Sequence, residues 1–138
     1  MQLFWIPNAQ AGEKAELCAL QYEKNRIKNY SLVERIRIIS DIDVCAGYDI
    51  VSFDSDESDD YDRFIEVKAV SNSTAFFWSI NELNTAKLKG KQYYLYLIDL
   101  QKALNERYIP TIINDPANVL FDSEEWFVEL QSFHIWHL

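Results

Sequence analysis

The stretch Gln92 to Leu100 (QYYLYLIDL) is apolar on both of the faces that an extended chain presents. A strand of that kind needs cover on two sides, and a sheet with helices above and below supplies it. The preceding chain offers the parts. In Ala9 to Lys28, the residues Ala15, Leu17, Cys18, Ala19, Leu20 and Tyr22 form an apolar stripe, with Lys24, Arg26 and Lys28 suiting a helix C-terminus. Ser79 begins a second helix to about Lys89, because Glu82 three positions later completes a capping-box pattern, and Gly90 ends it.

Between these helices the period changes to two. Leu32 to Ile39 alternates after a break at Asn29-Tyr30-Ser31, Tyr48 to Phe53 reads as a second strand, and Arg63 to Val70 reads as a third. Asp54 to Asp62 is too polar and too repulsive to pair internally and is expected to be a hairpin loop. Ser71-Asn72-Ser73 turns the chain, and Ala75 to Trp78 is expected to be short and extended. Asp115-Pro116 starts a short turn or helix, and Trp126 to Trp136 reads as a final extended segment broken near Ser132. The order helix, three strands, helix, strand predicts an α/β sandwich with a mixed central β-sheet flanked by helices.

Length and composition bound this arrangement. At 138 residues, 1–138 is expected to form a single domain around one core. Hydrophobic content of 49% beside 25% charged residues argues against a disordered chain, and three Gly with three Pro leave little for flexible linkers. No apolar run approaches the roughly 18–20 residues of a bilayer span, so no membrane partner is expected. Met1 to Pro7 lacks the basic and apolar regions of a secretory signal. Cys18 and Cys45 have neither disulfide-framework nor zinc-ligand spacing and read as two buried thiols of a cytoplasmic protein.

The net charge of −9 is concentrated in one place. Nine acids and no Lys or Arg lie between Asp41 and Asp62, which leaves the rest of the chain balanced. An acidic whole argues against a nucleic-acid binder that works through a strongly basic surface. A balanced remainder still permits a basic face. Lys87, Lys89 and Lys91, with Lys24, Arg26 and Lys28, are its best candidates for phosphate contacts, and charged helix ends explain them equally well.

The chemistry-bearing residues lie in the third strand. In FIEVKAV, Ile65, Val67 and Ala69 point one way while Glu66 and Lys68 point the other. Such a pair is costly to bury without partners. Antiparallel pairing with the strand after Asp49 can place that carboxylate beside Glu66, so that two carboxylates and a Lys converge. Adjacent carboxylates repel, and a hard divalent cation relieves this by taking oxygen ligands. Mg²⁺ held in this way can polarise a phosphoryl oxygen, with Lys68 handling the attacking water or offsetting transition-state charge. Glu16 and Glu23, seven apart on the first helix, are each able to add a carboxylate. A structural ion-pair cluster is the competing reading of the same residues.

Asp49 in GYDI followed by IEVK resembles the PD-(D/E)XK nuclease superfamily. The wider string AEL, QYEKNRI, GYDIVSFD, RFIEVKAV, FFWSINELNTAK and YYLYLI is similar to the family named after the C-terminal domain of the plant protein NO VEIN. The resemblance covers roughly Gly12 to Ile98. Tyr48 stands where the superfamily name has Pro, and Ala15 precedes Glu16 where Gly is commoner. The resemblance implies a restriction-endonuclease-like fold and a metal-dependent endonuclease acting on DNA in bacterial or phage genome defence. It also implies Mg²⁺ (or Mn²⁺) held by Asp49, Glu66 and the Val67 carbonyl, with Lys68 at the water and Glu16 as the helix carboxylate. The rival expectation is a non-catalytic recognition or assembly module that keeps the nuclease fold and acts with a protein partner.

Other patterns carry less. Asp54-x-Asp56-x-Ser58-x-Asp60 lacks the Gly and the terminal Glu of a calcium loop, with Asp59 and Ile65 in those places, and reads as a solvated hairpin tip. His134 and His137 would face opposite sides of an extended segment and read as structural. Tyr93, Tyr94 and Tyr96 read as core and sheet surface, not as a base-stacking platform. Glu23 reads as solvated or Arg-paired. Trp126, Phe127, Phe133, Ile135 and Trp136 exceed what one edge strand exposes and suggest a homodimer contact.

Overall fold

The computed structural model describes residues 8–72 and 74–138. Met1 to Pro7, read above for a signal, and Ser73 of the expected turn lie outside the described residues. The elements in chain order are α1 (Ala9–Arg26), α2 (Tyr30–Val33), β1 (Arg37–Ile38), β2 (Ile50–Ser52), β3 (Arg63–Val70), α3 (Ile80–Lys89), β4 (Tyr93–Asp99), β5 (Thr111–Asn114) and α4 (Pro116–Val119). The strands form one sheet in the order β1-β2-β3-β4-β5. Pairing is antiparallel except between β3 and β4, which are parallel and joined through α3, so the sheet is mixed. The α/β architecture follows as expected.

The two-faced strand explains the layers. In β4, Tyr96 and Ile98 bury with Ala15 and Ala19 of α1 and with Ile65, Val67 and Ala69 of β3. Tyr93 and Leu95 point the other way and bury with Ala86 of α3 and Leu120. The helix starts are set by side chains: Asn8 accepts the Ala11 amide at 2.8 Å, and Ser79 with Glu82 forms the full capping box. Gly90 closes α3 at φ 57°, a left-handed value that suits glycine.

Four local expectations are corrected. Leu32 to Ile39 is not a strand throughout. Asn29 accepts the Ser31 amide at 3.2 Å and turns the chain into α2, so Leu32 and Ile36 bury at helical spacing and only Arg37–Ile38 remains as strand. Trp126 to Trp136 joins no ladder: Trp126 packs edge-on to Phe76, and the residues after it are exposed. Cys45 is exposed and Cys18 half-buried, since Cys45 sits in the loop before β2 and Cys18 borders the core. Thr111–Asn114, which had shown no clear alternation, pairs with β4 as β5.

The acidic hairpin is ordered by its own acids. Asp62 accepts from the Asp54 amide and the Ser58 hydroxyl, both at 2.7 Å. Asp56 accepts from the Lys28 and Asn29 amides at 2.7 and 2.8 Å, fastening the loop to the end of α1 and holding its own carboxyl below the usual range. The loop leads into Arg63, five residues before Lys68, or about 16 Å along an extended strand. It therefore lies at the far end of β3 from Lys68.

Candidate functional site

Pleating places Glu66 and Lys68 together on the α3 face of β3, as the alternation predicts. Asp49 enters just before β2, where its amide donates to Ile65 O at 2.8 Å. The Val67 amide in turn donates to Asp49 Oδ2 at 2.8 Å. A residue's N–H and C=O leave a strand on the same side, so the Val67 carbonyl also faces this edge. Lys68 Nζ lies 3.2 Å from Glu66 Oε1 and 2.6 Å from Glu82 Oε1. Glu16, on α1, accepts from Ser40 Oγ at 3.1 Å and lies close enough to Asp49 for that carboxylate's charge to raise its pKa. Asp49 is thus the common neighbour of Glu16 and Glu66.

The loop before β2 is pressed close to α3. Gly47 has φ 82°, and a side-chain carbon there would overlap Thr85, so glycine is required twice over. Tyr93 donates to Gly47 O at 2.8 Å, and Asn81 donates to Cys45 O at 3.1 Å. These contacts fix the approach of Asp49 to the sheet.

Crowded carboxylates show in their protonation. Glu16 is pushed up to about 7 by burial and by the Asp49 charge. Asp49 is raised mainly by burial, against the pull of the Val67 amide and the Lys68 charge. Burial and Asp49 raise Glu66 well above the usual carboxylate range. Burial also works against the Lys68 ammonium, but Glu66 and Glu82 outweigh it and hold its pKa above the ordinary value. Lys68 is therefore a charged group at neutral pH.

The structure brings Glu16, Asp49, Glu66 and Lys68 together. The sequence marks Glu82 only as a helix cap, and its position three residues into α3 gives no sign of the contact with Lys68. Ser40 carried no signal at all. Glu23 goes elsewhere: it is fully buried, and its partners are Arg63, Arg26, Ser52 and Tyr96. Glu23 is therefore Arg-paired, as one of the two expectations had it, and not solvated. Among the phosphate-contact candidates, Arg26 is committed to the Phe53 and Asp54 carbonyls, and Lys89 lies 3.8 Å over the Phe64 ring. His134 and His137 lie in the exposed tail.

Among the described residues, no three His, Cys, Asp or Glu side chains are already disposed to hold one ion. Mg²⁺ does not require such a cage, because it keeps several waters and commonly uses one or two carboxylates with substrate phosphate. The hard oxygen donors of Asp49 and Glu66, both disfavoured as neighbouring charges, fit that demand.

No curated protein and no solved structure matches the chain. Residues 15–110 match the family described as Protein NO VEIN, C-terminal. That span runs from the Ala beside Glu16 to the residue before β5 and holds every member of the cluster above. The chain belongs to the NO VEIN C-terminal family.

Proposed function

We propose that the chain is a metal-dependent nuclease of the PD-(D/E)XK class that hydrolyses phosphodiester bonds in DNA. On this reading the five-stranded sheet is a restriction-endonuclease-like sandwich. The observation that carries it is the meeting of Asp49, Glu66 and Lys68 where β2 opens away from β3, with the Val67 amide orienting Asp49. Asp49 and Glu66, with the Val67 carbonyl, would hold Mg²⁺ or Mn²⁺. Lewis acidity toward a phosphoryl oxygen is what the cation supplies when bound. Lys68, charged at neutral pH, offsets negative charge that develops on the phosphate. Glu16, with its pKa near neutrality, can accept a proton from the attacking water. The test is cleavage of plasmid and single-stranded DNA with Mg²⁺. Cleavage by Glu66→Ala and Lys68→Ala proteins at the wild-type rate would sink the assignment. The genome-defence setting that the resemblance implies is tested by phage plating on cells expressing the wild-type or Lys68→Ala chain.

A second reading is a non-catalytic module acting with a protein partner. It is favoured by one observation: the Lys68 ammonium already has two carboxylate partners within the chain, Glu66 at 3.2 Å and Glu82 at 2.6 Å, as in a structural ion-pair cluster. Calorimetry separates the two readings. Measurable Mn²⁺ binding that Asp49→Ala abolishes supports the nuclease, and no binding by the wild type supports the module.

A further inference from the structure

We propose that Glu82 is the positioning residue for Lys68, fixing its ammonium group through the same carboxylate oxygen that caps α3. This rests on the nuclease reading for its kinetic consequence, though not for the tether itself. Lys is a compact charge on a flexible four-carbon stem, and it stays in one place only where its partner is already fixed. Glu66 cannot be that partner during turnover, because on the nuclease reading it is given over to the cation. Glu82 is free for the task. Its Oε1 lies 2.6 Å from Lys68 Nζ and also accepts the Ser79 amide at 3.2 Å, while the Glu82 amide donates to Ser79 Oγ at 3.1 Å. The capping box has thus removed the rotamer freedom of Glu82 before Lys68 meets it. Lys68 Nζ donates a hydrogen bond to Glu82 and is ion-paired with Glu66 at 3.2 Å, which leaves ammonium protons for water or phosphate.

The helix-capping and lysine-holding roles can be separated. Glu82→Gln keeps a side chain that can complete the capping box and loses the charge that holds Lys68. Ser79→Ala weakens the cap but leaves the Glu82 carboxylate and the backbone amide it accepts. With Mg²⁺ and DNA, Glu82→Gln is expected to lose about 10–100-fold in kcat at nearly unchanged KM, the usual loss when a residue orienting a site group is replaced. Ser79→Ala is expected to melt earlier and keep its kcat. In the metal-free proteins, nitrogen-15 spectra should show a slowly exchanging Lys68 ammonium in wild type and Ser79→Ala, and none in Glu82→Gln. Wild-type kcat in Glu82→Gln, or an ammonium signal unchanged by that substitution, overturns the proposal. Absence of cleavage by the wild type would remove the nuclease reading, while the ammonium spectra would still decide the role of Glu82.

Discussion

Asp49 Oδ2 accepts the backbone amide of Val67 at 2.8 Å, so a carboxylate ahead of β2 is fastened to the strand that carries Glu66 and Lys68. The bond orients Asp49 but does not relieve its burial or its repulsion from Glu66 and Glu16. Asp49→Asn keeps an acceptor for the amide and removes the charge. In chelator at about pH 7.5 it is expected to raise urea stability by on the order of 1 kcal/mol, as relief of a strained functional site commonly does. The same variant should give no heat on Mn²⁺ titration. A less stable variant, or one that binds Mn²⁺ like wild type, would contradict the site.

Glu16 makes this strain depend on pH. Its pKa is about 7 in the fold against 4.5 for the free group, so the folded state holds a proton that the unfolded chain has released. Its stabilising share is fully present below about pH 4.5 and is lost as pH rises through about 7. The melting temperature in chelator should therefore fall across that window, with Glu16→Gln flattening the decline. Added Mg²⁺ should restore stability mainly at the upper end, where Glu16 and its neighbours are ionised. A wild-type profile that rises with pH between 5 and 7 in chelator would refute the assignment.

The strand register, and with it the pairing of Asp49 with Glu66, was legible because alternation in FIEVKAV and the single acidic hairpin leave one antiparallel arrangement for β2 and β3. The two-faced strand gave the layers for the same kind of reason. Leu32 to Ile39 misled because Leu32 and Ile36 satisfy helical and strand patterns alike, and the Asn29 side chain decided between them. Glu82 could not be found this way. Its cap pattern is local, while its contact with Lys68 depends on where α3 crosses the sheet. Glu23 shows the same limit: a polar residue on a mixed helix face gives no sign that Arg63, from β3, will meet it in the core.

The acidic hairpin separates acids that build structure from acids that add only charge. Asp62 accepts two hydrogen bonds that close the loop, whereas the Glu57 and Asp59 side chains are exposed. Asp62→Ala is expected to cost about 1 kcal/mol or more in urea unfolding. Glu57→Gln with Asp59→Asn should stay within about 0.5 kcal/mol of wild type. Because the loop lies at the far end of β3 from Lys68, the double neutralisation should also leave Mn²⁺ affinity unchanged. A clear change in that affinity would bring the loop into the site.

The tail poses a question of association. Phe127, Phe133 and Ile135 are 88%, 84% and 87% exposed, three large apolar side chains left in solvent within nine residues. Deleting residues 127–138 should change urea stability by less than about 0.5 kcal/mol, since none of them is buried. If these side chains cover one another between two copies, the mass of the full chain in sedimentation rises with concentration. The shortened chain then stays at the mass of one copy. Equal behaviour of the two chains would remove the homodimer.

Glu23 offers a way to weaken the fold without touching the chemistry. Its fully buried carboxylate lies 3.0 Å from Arg63 Nε and 3.6 Å from Arg26 Nε, and it accepts from Ser52 Oγ at 2.8 Å and from the Tyr96 hydroxyl. Glu23→Ala leaves the Arg63 guanidinium buried with only the exposed Asp54 carboxylate, 3.6 Å away, to balance it. Removing one member of a buried pair costs about 3–5 kcal/mol, because the surviving charge keeps its desolvation penalty. Replacing both members removes that penalty, so Glu23→Leu with Arg63→Met should unfold at a higher urea concentration than Glu23→Ala alone. None of the hydrogen bonds and ion pairs of this network involves Asp49 or Glu66. Mn²⁺ affinity of the folded double variant should therefore equal that of wild type, and a double variant weaker than Glu23→Ala would show that the pair stabilises by more than mutual neutralisation.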